Sequence, residues 1–306
     1  MIGAPLMTLR IPRLAGSRTG LTAALAVLLG VLGCGTSDQA ATPDDRLTVV
    51  ASTDVWASVV RAVTGDAVEV ETIIDDPAGD PHSYESSPAD VATVAGADLV
   101  VFNGGGYDEF VEQVLGQAGD KPTVEAYAHS RGGGANEHVW YDLPVVHEVA
   151  EQIAAELGKL APQQAQQFSA GAETFGAGID ELRATVSTIA GAHPGAPVAM
   201  TEPVAYYLIE AAGLKDLTPP EFTEAVEEET DPPAAAVAAT RDLFTQRQVR
   251  VLIYNPQTET PVTSQVRTDA EAAGIPVVTL TETLPEGTEY LGWMSGQIHA
   301  LSVALG

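Results

Sequence analysis

The sequence predicts an α/β protein of two lobes, each a mostly parallel sheet covered by helices, joined by a long rigid connecting helix. Three observations support this. Short β-branched runs alternate with helix-length segments over residues 47–127. The strand runs stop over 144–189, where apolar residues recur at helical spacing, and alternation resumes from Pro197 onward. The strands are continuous apolar runs, the mark of a parallel sheet buried on both faces.

In chain order, 47–52 is the first strand and 55–63 the helix after it. A second strand follows at 68–74, a short helix at 88–95, a third strand at 99–102, a helix at 107–115 and a fourth strand at 123–127. Beyond Pro144, the residues Val145, Val149, Ile153, Leu157 and Leu160 line one helix face. Pro162 interrupts, and Phe168, Phe175, Ile179, Leu182 and Val186 continue the pattern. Gly171, Gly176 and Gly178 weigh against an unbroken helix, each costing about 1 kcal/mol relative to alanine. A continuous helix over 162–189 would run about 40 Å at ~1.5 Å per residue, enough to bridge two lobes.

Strands at 197–200, 249–254 and 275–280 then alternate with helices at 205–212, 262–273 and 290–305. Residues 214–231, rich in Pro, Glu and Thr, are expected to cross the surface. Pro232 and Pro233 can open a helix over 234–244, because proline is tolerated in a first turn. The expected division is a leader at 1–33, a tether at 34–45, an N-terminal lobe at 46–160, a connecting helix at 161–192 and a C-terminal lobe at 193–306.

The leader is read from Arg10, Arg13 and Arg18 ahead of an apolar stretch at 21–32. That stretch is shorter than the ~20 apolar residues of a transmembrane helix. It ends at Val31-Leu32-Gly33-Cys34, which resembles a bacterial lipobox, with Leu32 bulkier than the small residue usual there. Cys34, the single cysteine, would carry the lipid; secretion with Cys34 discarded or left free is the alternative. Residues 35–45 are small, polar and unpatterned, as a flexible tether is. The net charge of −28, from 14 basic and 42 acidic residues, argues against nucleic acid and anionic lipid surfaces as partners.

Four residues could hold a metal: His82 in Asp80-Pro81-His82-Ser83-Tyr84-Glu85, His138 in Glu137-His138-Val139-Trp140, Glu202 in Thr201-Glu202-Pro203, and Glu282 in Thr281-Glu282-Thr283. Imidazole and carboxylate bind borderline and hard divalent cations without redox-sensitive thiols. Each residue lies just past a predicted strand, two from each half of the chain. Ligands of open α/β sheets bind beyond the carboxyl ends of strands, so the four would meet in the interlobe cleft. Plainer readings stand beside these: an exposed loop for His82 and His138, a helix-end carboxylate for Glu202, a surface acid for Glu282. Glu85 and Asp142 are read as acceptors that orient the imidazoles through their second N–H. His129, His147, His193 and His299 fall outside any motif and read as non-ligands.

On these residues the chain resembles the substrate-binding proteins of bacterial zinc and manganese ABC importers. Residues 80–85 are close to that family's first-ligand motif. His138-Val139-Trp140-Tyr141-Asp142 is similar to its second, with Asn136-Glu137 replacing the usual Asp-Pro. The third position is His or Glu in the family and the fourth usually Asp; Glu202 and Glu282 stand there. The resemblance runs from Leu47 to the C-terminus. It implies a metal site in the interlobe cleft and capture of Mn²⁺ or Zn²⁺ as transported ligand. It also implies a monomer anchored to the cell membrane through Cys34 that delivers its cargo to a permease and an ATPase.

The sequence holds no Gly-Lys-Ser/Thr phosphate loop, so ATP hydrolysis is expected in another subunit. Residues 129–137 contain one histidine where zinc members often carry a long His-rich loop. With two carboxylates in the set, this leans toward manganese, while four-coordination would suit zinc. A metal-dependent hydrolase is one alternative, although no His-Glu-x-x-His helix occurs and four protein ligands would close a zinc site. A surface adhesin on the same fold is a second, and capture of an organic solute or chelate, which lacks the aromatic or basic cleft residues expected for it, ranks last.

Overall fold

The computed structural model describes residues 46–76, 84–131 and 136–306. The expected leader and tether, with Cys34, and the ligand candidate His82 lie outside the described residues. Four parallel strands, β1 (Thr48–Thr53), β2 (Glu69–Ile74), β3 (Leu99–Phe102) and β4 (Thr123–Glu125), form one sheet in the order β2-β1-β3-β4. Four more, β5 (Pro197–Met200), β6 (Lys215–Asp216), β7 (Leu252–Tyr254) and β8 (Val277–Thr279), form a second in the order β6-β5-β7-β8. The two sheets repeat one topology.

The continuous apolar runs are explained by alternation between two buried layers. Val49 and Ala51 of β1 and Leu99 and Val101 of β3 face the large central core. Their neighbours Val50, Val100 and Phe102 face a separate outer cluster. In the second sheet Val198, Met200 and Ile253 face the central core, and Ala199 and Leu252 an outer one. Period-two side chains thus find apolar partners on both faces.

Helices α1 (Asp54–Thr64), α2 (Pro88–Gly96) and α3 (Glu109–Ala118) serve the first sheet. Then come α4 (Leu143–Leu160) and α5 (Ala165–Ala192), which pack together along their length. The second sheet is covered by α6 (Tyr206–Ala211), α7 (Pro220–Glu227), α8 (Ala234–Thr245), α9 (Pro261–Ala272) and α10 (Tyr290–Leu305). Among the described residues, no helix is long and apolar enough to cross a membrane.

The 28 residues of α5 form one unbroken helix despite its glycines. The reason is tertiary. A Cβ on Gly171 would collide with the Val63 carbonyl of α1, and one on Gly176 with the His147 ring of α4. One on Gly178 would sit 2.6 Å from Leu291 of α10. The glycines let three helices approach α5 closely, and that packing outweighs their helix propensity. α5 therefore backs both sheets, touching α1 and α4 on one side and α6 and α10 on the other.

Segment 214–231 departs from the expectation of a plain surface crossing. It holds the edge strand β6 and the helix α7. Pro220 starts α7, and Phe222 and Val226, one turn apart, are buried in the outer cluster of the second sheet.

Candidate metal centre

The site begins at the carboxyl end of β3. Asp108 accepts the amides of Asn103 and Gly104, both at 2.7 Å, and folds this loop back on itself. Gly104, Gly105 and Gly106 all take positive φ there, which glycine alone does without strain. Asn103 Nδ2 then donates to the Glu137 carbonyl at 2.8 Å. The histidine loop is thereby fastened to the end of the strand.

His138 is fully buried, with its ring 5.1 Å from Trp140 and 6.1 Å from Tyr107. Asn136 sets its position from both sides of the cleft. The Asn136 Oδ1 accepts the His138 amide at 3.1 Å, and its Nδ2 donates to the Pro203 carbonyl at 2.9 Å. The Tyr207 hydroxyl donates to the Asn136 carbonyl at 2.7 Å. Pro203 follows Glu202 directly, so one asparagine ties the two halves of the site together.

In the second lobe the sheet order does the placing. β7 lies between β5 and β8, so Glu202, Asn255 and Glu282, each just past its strand, stand side by side. An amide carries two N–H donors, and Asn255 Nδ2 donates to Glu202 and, at 2.7 Å, to Glu282 Oε1. Gln257 braces the same turn: its Oε1 accepts the Glu282 amide at 2.7 Å and its Nε2 donates to Thr283 Oγ1 at 2.9 Å. Both carboxylates are almost completely buried.

A third carboxylate reaches the same place. Glu227, the last residue of α7, holds Oε1 3.5 Å from His138 Nε2. Ligand atoms of Glu137, His138 and Glu227 all lie within 4.8 Å of one another. Burial drives the Glu227 carboxyl far above the ordinary carboxylate range, and the negative charges of Glu202, Glu137 and Glu282 push it the same way. A cluster of buried carboxylates around an imidazole is costly as bare charge and well suited to a divalent cation.

Of the residues predicted from sequence, His138 stands 3.5 Å from Glu227, Glu202 and Glu282 are near enough for their charges to raise the Glu227 carboxyl, and His82 lies outside the described residues. The exposed readings of His138 and Glu282 do not hold, since both are buried. Glu202 makes no side-chain cap to the short turn Pro203–Ala205 and reaches Asn255 instead. Glu85 and Asp142, expected to orient the imidazoles, lie on separate elements. Glu85 is exposed on the loop before α2. Asp142, one turn of 3-10 helix beyond His138, stands at the start of α4 against the Val145 amide, Arg131 and Glu210, and burial raises its carboxyl.

Glu227 and Asn255 were not anticipated. Asn255 obeys the same strand-end rule as the candidate ligands and could have been found by it. Glu227 is signalled only by Pro220 with Phe222 and Val226 at helical spacing.

A family model for the periplasmic zinc-uptake complex component A matches residues 49–304. The manganese-binding lipoprotein MntA of Bacillus subtilis is 29% identical over 169 residues, covering 52% of this chain and 55% of the relative. The chain thus spans about half the length of the relatives it matches. The periplasmic zinc-binding protein TroA of Treponema pallidum superposes with a TM-score of 0.71 at 20% identity, over 85% of this chain and 99% of that one. The laminin-binding protein Lmb of Streptococcus agalactiae, reported as bifunctional with adhesin and metal-transporting activity, gives 0.73 at 22%, over 85% and 100%. At these identities the two structural matches speak for the two-lobed fold.

Proposed function

We propose that this chain, which belongs to the family of the periplasmic zinc-uptake complex component A, captures Mn²⁺ or Zn²⁺ outside the cytoplasm and delivers it to an ABC permease. The observation that supports the reading is the burial of His138 in one lobe and of Glu202 and Glu282 in the other, with Asn136 reaching from the His138 amide to the Pro203 carbonyl and Asn255 holding both carboxylates. In this reading His82, His138, Glu202 and Glu282 hold the ion, and the chain releases it unchanged, without catalysis. Ligands must shed protons to bind, so affinity falls as pH drops.

The leader at 1–33 would direct export, a lipid on Cys34 would hold the monomer at the cell membrane, and 34–45 would be the tether. The lobes would span 46–160 and 193–306 about the connector at 161–192. A permease and an ATPase would complete the importer.

Titration of the purified, metal-stripped chain with Mn²⁺ and Zn²⁺ tests this. One tightly bound ion per chain, lost in His138→Ala, is the expected result. Stoichiometric binding of neither ion would overturn the reading.

A further inference from the structure

Glu227 has no part in the four-ligand reading, yet α7 delivers it to the same spot. Phe222 and Val226 anchor one face of this eight-residue helix in the core. Glu227 follows at its last position, with a side chain only 15% exposed. α7 packs on the turn Pro203–Ala205, which begins immediately after Glu202. Glu202 and Glu227 therefore arrive from adjoining elements, one beyond a strand and the other at a helix end.

We infer that Glu227 is a further oxygen ligand of the captured cation, and that the site it completes selects a hard divalent ion such as Mn²⁺ over Zn²⁺. The inference rests on the metal-capture reading above. Two atoms that ligate one ion at ~2.1 Å stand about 3–3.5 Å apart. Glu227 Oε1 and His138 Nε2 are 3.5 Å apart, longer than a good direct hydrogen bond and right for sharing an ion. Glu137 places one more carboxylate oxygen within 4.8 Å of both.

Selectivity follows from donor count and type. Zinc is satisfied by about four ligands in a tetrahedron. A carboxylate beyond that number gives it little, whereas an oxygen-seeking ion with about six positions gains a full bond.

The test compares Mn²⁺ and Zn²⁺ titrations of the purified, stripped wild-type chain with those of Glu227→Gln and Glu227→Ala. Glutamine keeps the size and polarity of the side chain, and thermal melts of the metal-free proteins report folding. Mn²⁺ affinity is expected to fall by about tenfold or more, at least the loss seen when an outer partner of a bound metal is removed. Zn²⁺ affinity should fall by less than about threefold, since its roughly four positions stay filled.

X-ray absorption of the Mn²⁺-loaded wild type depends on no variant, and more than about four oxygen and nitrogen neighbours are expected. Unchanged Mn²⁺ affinity, an equal loss for both ions, or a four-coordinate Mn²⁺ shell would each overturn the assignment. Metal capture would survive those outcomes, because wild type would still bind and His138→Ala would not. A wild-type chain that binds neither ion would overturn both.

Discussion

Asp54 stands at the lobe boundary, where its Oδ2 accepts the Leu284 amide at 2.9 Å. Burial lifts its carboxyl from 3.8 to about 6, against the lowering pull of that amide. The folded chain therefore keeps a proton that the unfolded chain gives up near 3.8, and the contribution of Asp54 to stability falls as pH rises from there to about 6. Above that it is flat. Asp54→Asn should remove this slope, so that the variant gains on wild type between these limits by at most about 3 kcal/mol. Urea unfolding of both proteins across that range measures the difference, and parallel curves would contradict it. The residues of the candidate site were unequally legible for a related reason. His138, Glu202 and Glu282 announce themselves because imidazole and carboxylate past a strand suggest a metal. Asn255 holds two of those carboxylates in line, but its importance comes from lying on the strand between theirs, and strand order is not written locally.

Four helices around the second sheet end in the same pair of reversed hydrogen bonds. In α6 and α9 the left-handed position is Gly213 and Gly274, with the amides of Leu214 and Ile275 returning to Ile209 and Ala270 at 3.1 and 2.9 Å. In α7 and α8 it is Glu229 and Arg247, at φ 52° and 53°, with Thr230 and Gln248 returning to Ala225 and Leu243, both at 2.8 Å. A side chain in that conformation costs about 1–2 kcal/mol relative to glycine, partly offset by the greater freedom of glycine in the unfolded chain. Arg247→Gly should accordingly raise stability by about 0.5–1 kcal/mol, read as a higher urea midpoint with an unchanged slope; a lower midpoint would contradict it. At this scale long apolar patterns were readable from sequence, and the closing helix α10 falls where its spacing predicts. α7 was not, because eight residues with one buried pair scarcely rise above a Pro-, Glu- and Thr-rich background. α5 was doubtful for the opposite reason, since its glycines speak against a helix until their partners on α1, α4 and α10 are known.

Across the whole molecule the two sheets repeat one strand order, with the carboxyl ends of their strands turned toward the site, yet the lobes do not form independent cores. Residues of β1, β3, α1, α4, α5, β5, β7 and α10 belong to one continuous apolar cluster. Polar links cross the same boundary. Ser58 Oγ donates to Glu289 at 2.5 Å and accepts the Tyr290 amide at 2.8 Å. The Tyr290 hydroxyl donates to the Trp140 carbonyl at 2.6 Å, and the Tyr141 hydroxyl to the Thr281 carbonyl at 2.8 Å. Opening the lobes widely would expose this core at about 25 cal/mol per Å² and strand each of those bonds. The resistance to opening is therefore built into the interface as well as into α5. If the chain captures a metal as proposed, binding should shift the lobes by small sliding adjustments, in contrast to the hinge closure of binding proteins whose lobes share no core. Small-angle scattering of the stripped and Mn²⁺-loaded chain should then differ by no more than about 0.5 Å, on a radius of gyration near ~18 Å for a folded body of this length. A contraction of several times that amount would mean that the interface parts in the empty protein and that the shared core belongs to the closed form alone.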